Sequence, residues 1–240
     1  MTSPRHGSAV PLLDSVLDRL GREIIQGVLP EGKTFTLQDL SQRFDISRTV
    51  AREAMRALEQ LGLVSSSRRV GITVQPRSSW VVFNESIIGW RLECEAERRG
   101  QLRSLNELRI GIEPVAARLC SEQASPADRI RLVQIAEELA ELGHSGKGAS
   151  EEFLELDIAF HSRLLEASGN EMFMALIPSV TSVLRGRTVF GLQPDNPEEE
   201  TLDLHLRLAL AIQSGDGAAA EKFSQKLLQE VREFLSPESH

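Results

Sequence analysis

Arginine recurs at positions 48, 52 and 56 of this sequence. That spacing, i, i+4, i+8, places three guanidinium groups on one helix face. A guanidinium can read guanine through two parallel hydrogen bonds or hold a phosphate. Ser47 and Thr49 flank the first arginine with hydroxyls suited to phosphate contact. Arg68 and Arg69, followed by Gly71, suit the tip of a two-stranded wing that crosses to a sugar–phosphate backbone. A second constellation lies farther on. Asp157 and His161 are i, i+4, so they project from one helix face, and His205 stands on a later segment. Carboxylate plus imidazole is a common ligand set for a divalent transition metal such as zinc. Taken alone, such a pair more often reflects an i, i+4 salt bridge or a core histidine.

Residues 36–61 supply the elements that must position the arginines. Thr36 suits an N-cap for a short helix with Leu37, Leu40 and Phe44 on one face. Asp45-Ile46 makes a turn, and Ser47 caps a longer helix through Leu61 that Gly62 ends. Val50, Ala54, Leu58 and Leu61 are that helix's apolar positions, so Arg48, Arg52 and Arg56 face outward. An arginine stripe by itself is usually a solvated face; the preceding helix, the caps and the basic loop turn it into a helix-turn-helix reader. Before it, Leu13, Val16, Leu17, Leu20, Ile24 and Ile25 predict another helix, stopped by Gly27 and Pro30. After it, Leu63-Val64, the loop Ser65–Arg69 and Val70–Val74 read as strand, loop and strand, and Pro76–Ser79 is linker-like. From Trp80 onward the periodicity predicts helices near 84–97, 101–123, 126–143, 149–167, 170–189, 197–214 and 216–235. Such a series suits a helical bundle whose interior holds a ligand. The expected fold is mainly α, with a winged helix-turn-helix over 1–77 and an all-α bundle over 78–240.

The charge of the whole chain hides this organisation. Its 240 residues carry 27 Lys and Arg against 35 Asp and Glu, a formal net charge of −8 that argues against nucleic acid. Residues 1–77, however, hold 11 basic and 8 acidic side chains, a net of +3, leaving −11 on the rest. Such asymmetry points to parts with different partners. The 41% hydrophobic content supports real cores. No apolar run approaches the ~18–20 residues of a membrane span, and no signal-peptide core precedes Leu12. The expectation is a cytoplasmic protein with no membrane partner, in which Cys94 and Cys120 are buried free thiols.

The motifs together carry a resemblance. Thr36–Leu40, Ile46-Ser47-Arg48-Thr49-Val50-Ala51-Arg52-Glu53-Ala54-Met55-Arg56-Ala57-Leu58 and Gly62-Leu63-Val64 resemble the winged helix-turn-helix of GntR-family bacterial regulators. Glu107–Ala117, Asp157–His161, Ala167-Ser168-Gly169-Asn170, His205 and Gly215-Asp216 resemble the FCD effector domain of its FadR subfamily. The resemblance implies operator contacts by Ser47, Arg48, Thr49 and Arg52, and a wing glycine at Gly71. It departs from the family at Gln38, where many members place a DNA-contacting arginine. It also implies metal ligands at Asp157, His161 and His205, with a third histidine near 227, where this chain has Leu227. Two pockets are therefore open: a three-ligand divalent metal with free positions, or polar residues that bind an effector directly.

Arg109 is the other candidate effector contact, because arginine grips a carboxylate through two hydrogen bonds. The competing use is a pair with Glu113 at i+4. Asn170 is a further candidate, with capping of the next helix as its alternative role. Arg185 and Arg187 are left undecided between cavity and solvent. Trp80, Trp90 and the stretch around Leu92 resemble members that respond to sugar acids. The expectation is a homodimeric, ligand-responsive repressor that reads a near-palindromic operator in double-stranded DNA. A small carboxylate of the gluconate or galactonate kind would release it. The alternatives are a constitutive DNA-binding dimer with a degenerate pocket, or a response to lactate or a dicarboxylate. An enzyme is not expected: the sequence has no glycine-rich phosphate loop and no nucleophile beside a base.

Overall fold

The computed structural model describes residues 9–68, 70–191 and 199–234. Contacts within the chain form two units, which divide between Arg98 and Arg99.

In the first unit, α1 (Ala9–Ile25) buries Val16, Leu20 and Ile24, one face at i, i+4, i+8. β1 (Thr34–Phe35) leads to α2 (Leu37–Phe44). Thr36 and Asp39 close a capping box: the Asp39 N–H donates to Thr36 Oγ1 at 3.1 Å, and the Thr36 N–H donates to Asp39 Oδ2 at 2.8 Å. Asp45 ends the helix in the left-handed region (φ 49°), a conformation Asp tolerates better than bulkier residues. The Ile46 N–H then turns back to Ser41 O, and the chain enters α3 (Arg48–Gln60) through its cap, Ser47. Ala51, Ala54, Met55 and Leu58 face the core from α3. Beyond it, β2 (Val64–Ser67) and β3 (Gly71–Val74) form an antiparallel hairpin with Val64 opposite Val74 and Ser67 opposite Gly71. β1 adds to the other edge of β3, a pairing with no local sequence signal, since its partner lies far along the chain.

A division at residue 77 was expected from the linker-like Pro76–Ser79. The first unit instead continues through α4 (Glu85–Glu93). Trp90 holds α4 on α1: its Nε1–H donates to Asp18 Oδ1 at 2.7 Å, and its ring fills the space a Cβ at Gly21 would need. Arg22 and Glu93 add an ion pair across the same contact.

The helix break expected after residue 97 also falls earlier. Cys94 is extended, and α5 runs unbroken from Glu95 to Gln123. The Arg98 side chain donates to Leu92 O at 2.7 Å and Glu93 O at 3.1 Å, satisfying the last carbonyls of α4. Gly100 stays helical, since a glycine costs a helix interior only about 1 kcal/mol.

The second unit is a helical bundle. After α5 come α6 (Pro126–His144), α7 (Glu151–Ala167), α8 (Glu171–Met174), α9 (Ile177–Val189), α10 (Glu199–Ser214) and α11 (Gly217–Phe234). Ser125 and Ser150 cap α6 and α7. One helix was expected over 170–189; the structure breaks it before Ile177, because Pro178 has no N–H to give and belongs in a helix's first turn. α10 packs on α6 and α11, α6 on α7, and α7 on α9. Leu132, Ile135, Leu139, Phe160, Leu164, Leu208 and Ile212 are all buried in the core between these helices. Arg129 ties helix ends together, donating to Ser121 O at 2.6 Å and Ile212 O at 2.8 Å. Cys94 and Cys120 are free and buried, and burial pushes the Cys120 thiol up to about 12. No described helix is long and apolar enough to cross a membrane.

Candidate functional site

Each unit carries one candidate site. In the first, Ser47, Arg48, Thr49, Arg52 and Arg56 are all exposed on the first turns and outer face of α3. Ser47 Oγ accepts the Val50 N–H at 3.3 Å, which leaves its own hydroxyl hydrogen to donate outward. Arg48 and Arg52 form no ion pair among the described residues. Arg56 differs: its Nη1–H donates to Glu53 Oε1 at 2.9 Å, so part of its charge is already answered. A groove of about 630 Å³ separates α3 from the wing, lined among others by Gln38, Arg48, Arg52, Arg56, Ser66 and Gly71. The cationic helix face and the wing therefore share one concave surface.

Arg68 is exposed at the wing tip, and Arg69 lies outside the described residues. Gly71 has a structural reason to be glycine. Its φ is 93°, and a Cβ there would fall 2.8 Å from the Phe35 carbonyl oxygen of β1.

The second site is buried. Asp157 and His161 project together from α7, and α10 brings His205 to them. His161 Nε2 is 3.3 Å and His205 Nε2 is 3.4 Å from Asp157 Oδ1. One donor atom from each residue lies within 4.8 Å of the others, and all three residues are buried. Asp157 Oδ1 receives no well-directed hydrogen bond among the described residues. An oxygen and two imidazole nitrogens converging in this way fit a divalent cation. Phe160 walls the site, its ring edge-on to both imidazoles with centroids 5.5 and 5.2 Å away.

Expected only as a partner for Arg109, Glu113 has two roles in the structure. Arg109 Nε–H donates to Glu113 Oε1 at 2.6 Å, and Nη2–H reaches Oε2 at 3.4 Å. The competing i+4 pair is therefore present, yet Arg109 Nη1 remains buried without a hydrogen-bond partner among the described residues. Glu113 Oε2 also lies 2.7 Å from His161 Nδ1. A carboxylate there favours a proton on Nδ1 and leaves Nε2 to face Asp157, the usual arrangement behind a metal-binding histidine. Asn106, Arg109 and Glu113 occupy one α5 face at i, i+3, i+7, and all three are buried.

The titrations follow from these contacts. Burial alone would raise Glu113, but Arg109 and His161 outweigh it and lower the group to about 2. Burial would likewise raise Asp157, and the two facing imidazoles hold it well below the usual carboxylate range. His161 is pushed down by burial and Arg109, and up by Glu113 and Asp157; the net shift is upward.

Other expected members sit elsewhere. Asn170 caps α8, its Oδ1 accepting the Met172 N–H at 2.9 Å, which is the alternative role foreseen for it. Trp90 belongs to the α1–α4 contact, and Trp80 Nε1–H donates to Gln75 O at 3.3 Å within the same unit. Arg185 pairs with Glu155 at 2.9 Å, both half-exposed. Arg187 turns inward and is 8% exposed. Leu227, where the resemblance put a third histidine, is buried in the apolar core.

Two family models match the chain: bacterial regulatory proteins of the gntR family over residues 12–74, and the FCD domain over residues 104–230. The galactonate operon transcriptional repressor of Escherichia coli is 30% identical over 87% of this chain and 90% of its own length. The HTH-type transcriptional regulator LutR of Bacillus subtilis is 27% identical over 86% of this chain and 93% of its own. Among solved structures, the Lar protein that controls the Listeria monocytogenes agr system superposes with a TM-score of 0.57 at 15% identity, covering 97% of this chain and 98% of its own. A GntR protein of Streptococcus agalactiae gives 0.50 at 22% identity, covering 92% and 99%. These two likenesses speak for the fold.

Proposed function

Because this chain belongs to the gntR family of bacterial regulatory proteins and carries an FCD domain, it is a DNA-binding transcriptional regulator, and we propose that it is a homodimeric repressor released from its operator by a small carboxylate. The observation that carries this reading is the pairing state of α3: Arg48 and Arg52 are exposed, without ion-pair partners among the described residues, and beside the wing groove. In the proposal, the first turns of α3 enter the major groove. Arg48 and Arg52 contact base edges or phosphates, Ser47 and Thr49 donate to phosphate, and Arg68 and Arg69 hold the backbone from the wing. Gln38 is shorter and uncharged, so contact from α2 is weaker than an arginine would give. DNA reading is assigned to the winged part, and effector binding and dimerisation to the bundle. Residues 1–77 carry only +3, so dimerisation must supply much of the affinity.

The effector reading rests on the buried cluster. Asp157, His161 and His205 would hold a divalent metal, zinc or similar, which when bound supplies a Lewis-acidic centre for a carboxylate or hydroxyl oxygen. Glu113 orients His161 and anchors Arg109, whose unpartnered Nη1 offers a donor to an acid. With Leu227 in place of a histidine, three protein ligands leave open positions for the effector. A sugar acid such as galactonate is the proposed class. Its support is the galactonate operon repressor among the relatives. The effector must prefer one of two conformations, or nothing switches.

The test starts from a binding site selected out of a random DNA library by the full-length protein. Affinity for that site should fall steeply with salt, and galactonate should raise the dissociation constant. A flat salt response would remove the arginine face from phosphate. Insensitivity to galactonate, lactate and dicarboxylates alike would favour a constitutive dimer with a decayed pocket.

A further inference from the structure

Arg185 and Arg187 are two residues apart on α9 and have opposite fates. Arg185 points outward and pairs with Glu155. Arg187 shares the buried face of α9 with Ser179 and Val183 at i, i+4, i+8, on a helix that packs against α7. It makes no ion pair or hydrogen bond among the described residues, and its Nε is sealed from solvent with no acceptor. A buried guanidinium with no anion is strongly unfavourable, so proteins rarely keep one without use. The charges acting on it are those of the cluster. Burial lowers its pKa to about 10, while Asp157 raises it and Arg109 lowers it, so it is charged at neutral pH.

Among the sealed polar atoms of the bundle that lack a hydrogen-bond partner in the described residues are Arg187 Nε and Arg109 Nη1, both donors, and Asn106 Oδ1, an acceptor. Arg109 already has Glu113. Arg187 has no such carboxylate among the described residues. We propose that Arg187 is the anion anchor of the effector site, taking the carboxylate of a hydroxy acid whose hydroxyl groups reach Asn106 and the Asp157, His161 and His205 donors. The ligand class follows from the donors and acceptor left over: an anionic group for the guanidinium, and a neutral donor for the amide oxygen. The proposal rests on the bundle being an effector domain, and it adds a residue and a charge requirement to that reading.

The test uses the full chain and its Arg187→Met and Arg187→Gln variants, with calorimetric titration and thermal melting. The probes are galactonate, lactate, malonate and citrate, with the uncharged polyol galactitol as control. Wild type is expected to bind at least one acid and to ignore galactitol. Both variants should lose about tenfold or more in that affinity. Without ligand, Arg187→Met should melt no lower than wild type, because it removes an uncompensated buried charge. A variant that binds the acid within twofold of wild type would overturn the role of Arg187 while leaving the effector reading intact. A marked fall in the ligand-free melting point would also overturn it, by making Arg187 a structural partner of the chain itself. Binding of galactitol equal to that of galactonate would overturn the charge requirement. If no acid binds wild type, the effector reading fails first and takes this proposal with it.

Discussion

The two units use arginine in opposite ways. On α3, Arg48 and Arg52 are exposed and have no ion-pair partner among the described residues, so a polyanion can take them up at little desolvation cost. In the bundle, Arg109 and Arg187 have already lost their water. Arg109 is balanced by Glu113, and that balance is part of the fold. A solvated arginine therefore tunes affinity and leaves stability alone, whereas the buried Arg109–Glu113 pair ties the bundle site to stability.

The largest expected effect breaks the buried side. Glu113→Ala leaves Arg109 uncompensated in the core, and should cost about 3–5 kcal/mol of stability. Chemical denaturation would check it; a loss below about 1 kcal/mol would mean that Arg109 finds another partner or water. Next comes the exposed side. Arg52→Ala should weaken binding to a selected operator by about 10- to 100-fold, from the ~1–3 kcal/mol of a base contact, with an unchanged melting point. A large drop in melting point would erase the contrast between the two arginine classes.

Gly71→Ala tests how far the wing depends on backbone geometry. The positive φ and the Phe35 carbonyl both oppose a Cβ, so about 1–3 kcal/mol of destabilisation is expected, with operator affinity falling as the hairpin shifts. An unchanged melting point would show that β1 and β3 can part without consequence. Arg56→Ala should have the smallest effect, about threefold or less on affinity, because Glu53 already holds that guanidinium. An effect as large as that of Arg52 would mean that DNA displaces Glu53.

The local determinants of this arrangement were legible in the sequence. Thr36, Ser47, Ser125 and Ser150 announced their helices as caps, and the i, i+4 spacings placed Arg48, Arg52, Asp157 and His161 on the faces where they are found. What escaped depends on partners far along the chain. β1 is two residues long and exists because β3 offers an edge. The break at Cys94 is held by Arg98 reaching back to α4. Trp90 has a helical neighbour in α1 that nothing nearby reveals. Pro178 is a readable local signal for the break before α9. The inward turn of Arg187 had a weaker signal, its i+4 relation to Val183, which means burial only once α9 is known to pack on α7.

One measurement bears on the central claim that a buried acid-binding cluster governs an exposed arginine reader. It is the fraction of fluorescent operator bound by wild type and by Asp157→Asn as galactonate is titrated. Asp157→Asn keeps the size of the side chain and removes the charge that faces His161 and His205. Both proteins are expected to bind the operator equally without the acid, and only wild type to be released by it. Release of both at the same concentration would contradict that claim, because the switch would then lie outside this cluster.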